Sequence, residues 1–173
     1  MSIKKQASKA KKTGITNGNV IIGIAAIVVV VAALLIINGN KGNNAGSVPE
    51  GSDVVITKSD ITETVTFIPT KVGKTNMEIM AVKASDGTIR TAFNTCQVCN
   101  GSPRAYYKQD GDMVICQNCG NQFSMDMIEE QRGGCNPVPI MEDEKIDGSD
   151  TITIPKDVIA QNKGLFTENW KTR

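Results

Sequence analysis

Five cysteines and no histidine bound the chemistry open to this 173-residue chain. Four of the cysteines form two pairs, Cys96-Gln97-Val98-Cys99 and Cys116-Gln117-Asn118-Cys119, with 16 residues between the pairs. Two residues inside each pair let the chain turn tightly enough for both sulfurs to face one point. Gly101 and Gly120, just after each pair, let backbone N–H groups fold toward sulfur. The spacing matches a tetrathiolate metal site. Two other readings stay open. Outside the cell the four thiols can form two disulfides, although a disulfide within Cys-x-x-Cys closes a very short loop and needs no matched glycines. A thioredoxin-like redox pair normally begins a helix in a βαβ unit, and no such unit is visible here.

Cys135 lies 16 positions beyond Cys119, in Gly133-Gly134-Cys135-Asn136-Pro137-Val138-Pro139. Glycine permits close approach of the backbone, and proline fixes the loop after the thiol. The segment reads as a rigid loop whose thiol is either idle packing or a further ligand or neighbour of the centre. A single tetrahedral zinc needs four ligands, so a used Cys135 favours a cluster or a redox role. The absence of histidine excludes imidazole ligands, a histidine general base and a haem-attaching Cys-x-x-Cys-His. No nucleophile–base pair and no phosphate-cradling loop is found. No catalytic residue is assigned, and the chain reads as a metal-binding or electron-transfer protein rather than an enzyme. Met77, Met80, Met113, Met125, Met127 and Met141 read as core filling rather than Cu(I) ligands. The acidic stretches Glu142–Glu144 and Asp147–Asp150 read as solvated turns. Thiolate chemistry alone leaves zinc and iron equally open.

These sulfurs need a scaffold, and from Asp53 the pattern is that of strands. Val54-Val55-Ile56 is a short apolar run, and Val65 and Phe67 share one face of Glu63–Phe67. Met77–Val82 and Thr88–Phe93 flank Asp86-Gly87, a two-residue hairpin signal. Asp110-Gly111 is a second such turn, leading into Met113-Val114-Ile115. Thr151–Ile154 reads as a late strand and Pro155–Asn162 as a short helix, with Gly164 past its end. Each cysteine pair follows a predicted strand, so each sits on a hairpin-like loop, and Tyr106-Tyr107 are expected to pack beside the first. The expectation is a mainly β metal-binding domain over residues 53–168. A unit of that size has a limited core, and a metal cross-link would help to hold it.

The first fifty residues differ from the rest. Residues 1–19 carry five lysines and no acid, whereas the remaining chain carries 14 Lys and Arg against 18 Asp and Glu. No broad basic surface is left for nucleic acid. Val20–Ile37 is an apolar run of 18 residues, 13 of them Val, Ile or Leu. As a helix it spans about 27 Å, close to the ~30 Å hydrocarbon core of a bilayer. The run is longer than a signal-peptide apolar region and lacks the polar stripe of a core helix. The expectation is one transmembrane helix at 20–37 after a basic tail at 1–19. Residues 38–52, rich in Asn and Gly, are expected to form a flexible linker. Lysines before the span put the N-terminus in the cytoplasm and the C-terminal domain outside.

Three segments carry a family resemblance: Thr88-Ile-Arg-Thr-Ala-Phe-Asn-Thr-Cys96-Gln-Val-Cys99, Val114-Ile-Cys116-Gln-Asn-Cys119-Gly-Asn-Gln-Phe123 and Gly133-Gly-Cys135-Asn-Pro-Val-Pro-Ile140. Over roughly residues 54–166 the chain resembles the FtrD-like family, membrane iron–sulfur proteins associated with ferrous iron uptake and its permease. The resemblance implies an iron–sulfur centre bound by Cys96, Cys99, Cys116 and Cys119, with Cys135 as a further candidate. It implies a partner in the membrane, an iron permease or another redox protein. The second half also looks like a Rieske domain, with a Gly- and Pro-rich loop over the cluster. Rieske centres use two histidines where this chain has only cysteines, and an all-cysteine centre has a lower potential. The expected fold is therefore a small Rieske-like or zinc-ribbon-like domain behind one N-terminal transmembrane helix. A protease added outside intact cells or spheroplasts is expected to reach residues 53–173; protection of that segment means the reverse orientation.

Overall fold

In the computed structural model of the chain, residues 48–130 and 132–171 are described. The basic tail, the predicted span Val20–Ile37 and the linker up to residue 47 lie outside them. Among the described residues no helix is long and apolar enough to cross a membrane. The strands are β1 Val54–Thr57, β2 Thr66–Val72, β3 Thr75–Lys83, β4 Ile89–Cys96, β5 Tyr107–Asp110, β6 Met113–Cys116, β7 Gln122–Ser124, β8 Pro137–Pro139, β9 Ile146–Asp147 and β10 Thr151–Ile154. One α-helix, α1 Lys156–Gln161, comes after them. The strands form three antiparallel sheets, ordered β1-β10-β9, β2-β3-β4-β8 and β5-β6-β7.

The architecture follows from β3, which is apolar on both faces. Side chains alternate across a strand. Met77, Ile79 and Ala81 therefore enter one core, while Met80 and Val82 enter another. The first core joins the four-stranded sheet to β1, β10 and α1 through Val54, Ile56, Ile152, Ile154 and Ile159. Phe93 on β4 lies fully buried in it, where such a side chain contributes about 1.5–3 kcal/mol. The second core joins the same sheet to the β5-β6-β7 meander through Tyr107, Val114 and both strand-end cysteines, Cys96 and Cys116. The four-stranded sheet is thus the middle layer, and the cysteines belong to its second face. Both of its edges are strands containing proline, Pro69 in β2 and Pro137 and Pro139 in β8. Proline is tolerated at an edge because no ladder donor is lost there, and it blunts the edge against further pairing.

Most of the expected strands are present, with shifted limits. The predicted strand Glu63–Phe67 is realised three residues later, as Thr66–Val72, with Val65 and Phe67 both against the second core. The loop at Asp86-Gly87 is longer than two residues. Ala84 and Thr88 pair, the Gly87 amide donates to the Ala84 carbonyl (3.0 Å), and Gly87 has φ +84°. This is a turn closed by a left-handed glycine, and the Asp86 carboxylate holds it by accepting from the Thr88 amide (2.9 Å) and hydroxyl. The second hairpin does turn on two residues, Gly111 and Asp112, between the paired Asp110 and Met113. The helix starts one residue after Pro155, which stands at its N-cap position, and Gly164 lies past its end, in a following 3-10 turn.

Two details aim the end of β4. Phe93 faces Val138 but Cys96 faces Pro137, so Asn94 and Thr95 bulge from the β4–β8 ladder. A bulge bends its strand and re-aims the residues after it. The buried Asn94 side chain then bridges layers. Its carbonyl oxygen accepts from the Tyr107 amide (2.7 Å), and its amide donates to Glu78 (2.6 Å) and to the Tyr107 carbonyl (3.3 Å). Glu78 also accepts from Lys171 Nζ (2.8 Å), which ties down the C-terminal segment. Asn94→Ala orphans the buried Tyr107 amide, at a cost of about 1–3 kcal/mol. Urea unfolding of the detergent-solubilised chain is expected to show that loss as a lower midpoint with an unchanged slope.

Candidate metal centre

Both cysteine pairs are presented by the same local device. Cys96 is the last residue of β4 and Cys116 the last of β6, and both are buried. After each the chain turns back on itself. In the first turn the Cys99 amide donates to Cys96 Sγ (3.4 Å) and the Ser102 amide to the Cys99 carbonyl (3.0 Å). In the second the Gly120 amide donates to the Cys116 carbonyl (2.9 Å), and the amides of Asn118 and Cys119 face the Cys116 sulfur. Gly101 and Gly120 have φ of +93° and +77°, where a Cβ is strained. That is the physical reason a glycine comes after each pair.

The two turns are clasped to each other. The Gln117 amide donates to the Tyr106 carbonyl (2.8 Å), and Ser102 Oγ donates to Asn118 Oδ1 (2.8 Å). As a result the Sγ atoms of Cys96, Cys99, Cys116 and Cys119 all lie within 4.8 Å of one another. Cys99 is half-buried and Cys119 exposed, so the group reaches the surface on one side. The C-terminal segment laps over the first turn, with Trp170 Nε1 donating to the Ala105 carbonyl (3.2 Å) and the Lys171 amide to that of Pro103 (2.8 Å).

Cys135 arrives from a third direction. The loop that carries it is anchored by Glu129, whose carboxylate accepts from the Thr91 amide (2.6 Å) and Lys145 Nζ (2.6 Å). Gly133 and Gly134 take φ of +101° and +73°, and Pro137 then pairs with Cys96. The Cys96 thiol donates to the Cys135 carbonyl (3.5 Å), and the Tyr107 hydroxyl donates to that same carbonyl. The Cys135 thiol faces the sulfurs of Cys96 and Cys119. All five cysteines are thus brought together, four as the tight sulfur group and Cys135 beside it. Tyr107 is fully buried beneath them, edge-on to Phe123 at 6.1 Å. Ser102, Asn118 and Asn121, which steady the turns, carry no signal in the sequence beyond lying next to a cysteine.

The electrostatics of the thiols suit a cation. Burial, and then the neighbouring sulfurs of Cys96 and Cys119, push Cys99 up to about 12. Burial likewise raises Cys116 and Cys135. Cys119 alone is lowered, chiefly by the Asn121 amide pointing at its sulfur. A lowered thiol beside raised ones marks sulfurs whose charges compete at close range. A metal ion removes the conflict and expels the protons. The donor set fits zinc or iron, each of which accepts four thiolates. Metal–sulfur bonds of about 2.3 Å in a tetrahedron set the sulfurs about 3.8 Å apart, inside the span observed here.

A family model described as "Membrane iron-sulfur containing protein FtrD-like" matches residues 52–166. No curated protein and no solved structure matches the chain.

Single replacement of Cys96, Cys99, Cys116 or Cys119 by Ser is expected to abolish stable metal binding and unfold most of the domain, because structural metal contributes on the order of 10 kcal/mol in small domains. Cys135→Ser is expected to fold and bind metal but to shift the visible spectrum or reduction potential. Metal analysis, circular dichroism and voltammetry of the five variants check both outcomes.

Proposed function

This chain belongs to the FtrD-like family of membrane iron–sulfur containing proteins, and we propose that it is a membrane-tethered, extracytoplasmic one-electron carrier serving iron uptake, its centre being iron bound by cysteine thiolates. The observation that carries this reading is the sulfur group itself: four thiols within 4.8 Å, two buried on strand ends and one exposed. Thiolate-bound iron supplies a one-electron couple at such a site. The chain's own residues do the rest. Cys96 and Cys116 hold the group to the strands. Amides at Cys99, Asn118, Cys119 and Asn121 face sulfur and stabilise its negative charge. Tyr107 and the Cys135 loop keep water from the inner side, and Cys119 opens the outer side to a partner.

The finer fold reading, a Rieske-like or zinc-ribbon-like domain, draws support from the arrangement of three loops. Two cysteine turns each come after a strand, and a Gly- and Pro-rich loop covers them. The partner on this reading is an iron permease or another redox protein of the same membrane. The lysine-rich N-terminus and the apolar run Val20–Ile37 support one span with the domain outside. A second reading is a zinc-stapled binding module that recruits a membrane partner without redox chemistry. The tight sulfur spacing favours it as well, since closed structural zinc sites are built of four thiolates.

The visible spectrum of the chain, purified anaerobically in detergent, separates the two. Thiolate-bound iron is expected to give broad bands that bleach on reduction. A colourless protein with one zinc per chain overturns the electron-carrier reading.

A further inference from the structure

How many metal ions the four thiolates hold depends on how far apart they stand. All four sulfurs lie within 4.8 Å of one another. Around one ion, bonds of about 2.3 Å give tetrahedral edges of about 3.8 Å. The four sulfurs therefore reach a single ion by closing inward by about 1 Å at most. A sulfide-bridged cluster makes the opposite demand. Two irons divide four thiolates into two pairs, and the metal–metal vector is added between the pairs. With the same bond length and tetrahedral angles, sulfurs on different irons then stand roughly 5.5 Å apart or more. Four irons, each with one thiolate at the corner of a cube, push the sulfurs further still.

The surrounding hydrogen bonds oppose such an expansion. The two turns are clasped by Gln117 to Tyr106 and by Ser102 to Asn118, each at 2.8 Å. Cys116 is paired across the ladder with Tyr107, and the Cys96 amide is bonded to the Ala105 carbonyl (3.3 Å). On the inner side the Cys135 carbonyl sits on Cys96 Sγ and takes the Tyr107 hydroxyl. A second iron with its bridging sulfides would have to part sulfurs that these hydrogen bonds hold close.

We propose that the centre is mononuclear: one iron ion in the tetrahedron of Cys96, Cys99, Cys116 and Cys119, without inorganic sulfide, and with Cys135 outside the coordination shell. The inference rests on the reading of the centre as iron, and goes beyond it in fixing the nuclearity. It also separates this chain from proteins with sulfide-bridged clusters.

The test is iron, zinc and acid-labile sulfide analysis on the full chain purified anaerobically in detergent, with electron paramagnetic resonance of the oxidised form. The expected result is one iron per chain, no labile sulfide and a high-spin ferric signal. Cys135→Ser is expected to retain the same iron content. Two or four irons with matching sulfide overturn the mononuclear centre and leave the electron-carrier reading standing. Loss of iron in Cys135→Ser, with the four other cysteines intact and the secondary structure retained, overturns the exclusion of Cys135. One zinc and no iron overturns the iron reading itself.

Discussion

Four thiol sulfurs packed within 4.8 Å are an electrostatic problem before they are a binding site. Uncharged, they do little for each other; ionised together, they repel at short range in a setting of reduced polarity. A cation at their centre reconciles the arrangement. The nearby structure serves either to bring the sulfurs together or to temper their charge. Amides that face sulfur temper it. The two glycine turns, the clasps between them and the covering loop hold the sulfurs at a separation that suits one small ion.

This reaches back into the fold. A strand with apolar side chains on both faces has to lie between two partners, and β3 does so. One partner, the β1-β10-β9 sheet with α1, stabilises the middle layer. The other, the β5-β6-β7 meander, brings the second cysteine pair against the first. The bulge at Asn94 and Thr95 is the joint between these roles. It turns the last residue of β4 toward the meander, while the Asn94 side chain satisfies the backbone of Tyr107, directly across the ladder from Cys116. A buried polar network of this kind specifies one relative placement of two layers, because other placements strand its donors.

Legibility in the sequence tracks locality. A Cys-x-x-Cys turn is set by residues within five positions of one another, so both turns and their glycines were legible. Strands β3 and β4 were legible as apolar runs flanking Asp86-Gly87, and β6 and β10 as short runs beside turn residues. The limits of β2 were not, because Pro69 interrupts the pattern and only its place at a sheet edge makes it admissible. Strands β7, β8 and β9 are two or three residues long, too short for any period to register. Asn94 looked like any polar residue in a strand, since its worth depends on Tyr107, thirteen residues away. The approach of Cys135 was legible as a rigid loop near a centre. The side from which it comes is fixed by β8 pairing with β4, a long-range choice that no local motif encodes. The apolar run at 20–37 lies outside the described residues.

The burial of the four sulfurs is uneven, and the unevenness has a chemical consequence. Cys96 and Cys116 end strands inside a core, whereas Cys99 is half-buried and Cys119 exposed. The centre thus has a locked half and an open half. An oxidant, a competing chelator or a foreign soft metal arriving from solvent meets Cys119 first and Cys99 next, while the inner sulfurs stay fixed by the ladder. Attack on the centre therefore starts in the two turns, at the sulfurs that solvent reaches, and comes last to the strand ends. The bonds most open to attack are thus the ones farthest from the sheets.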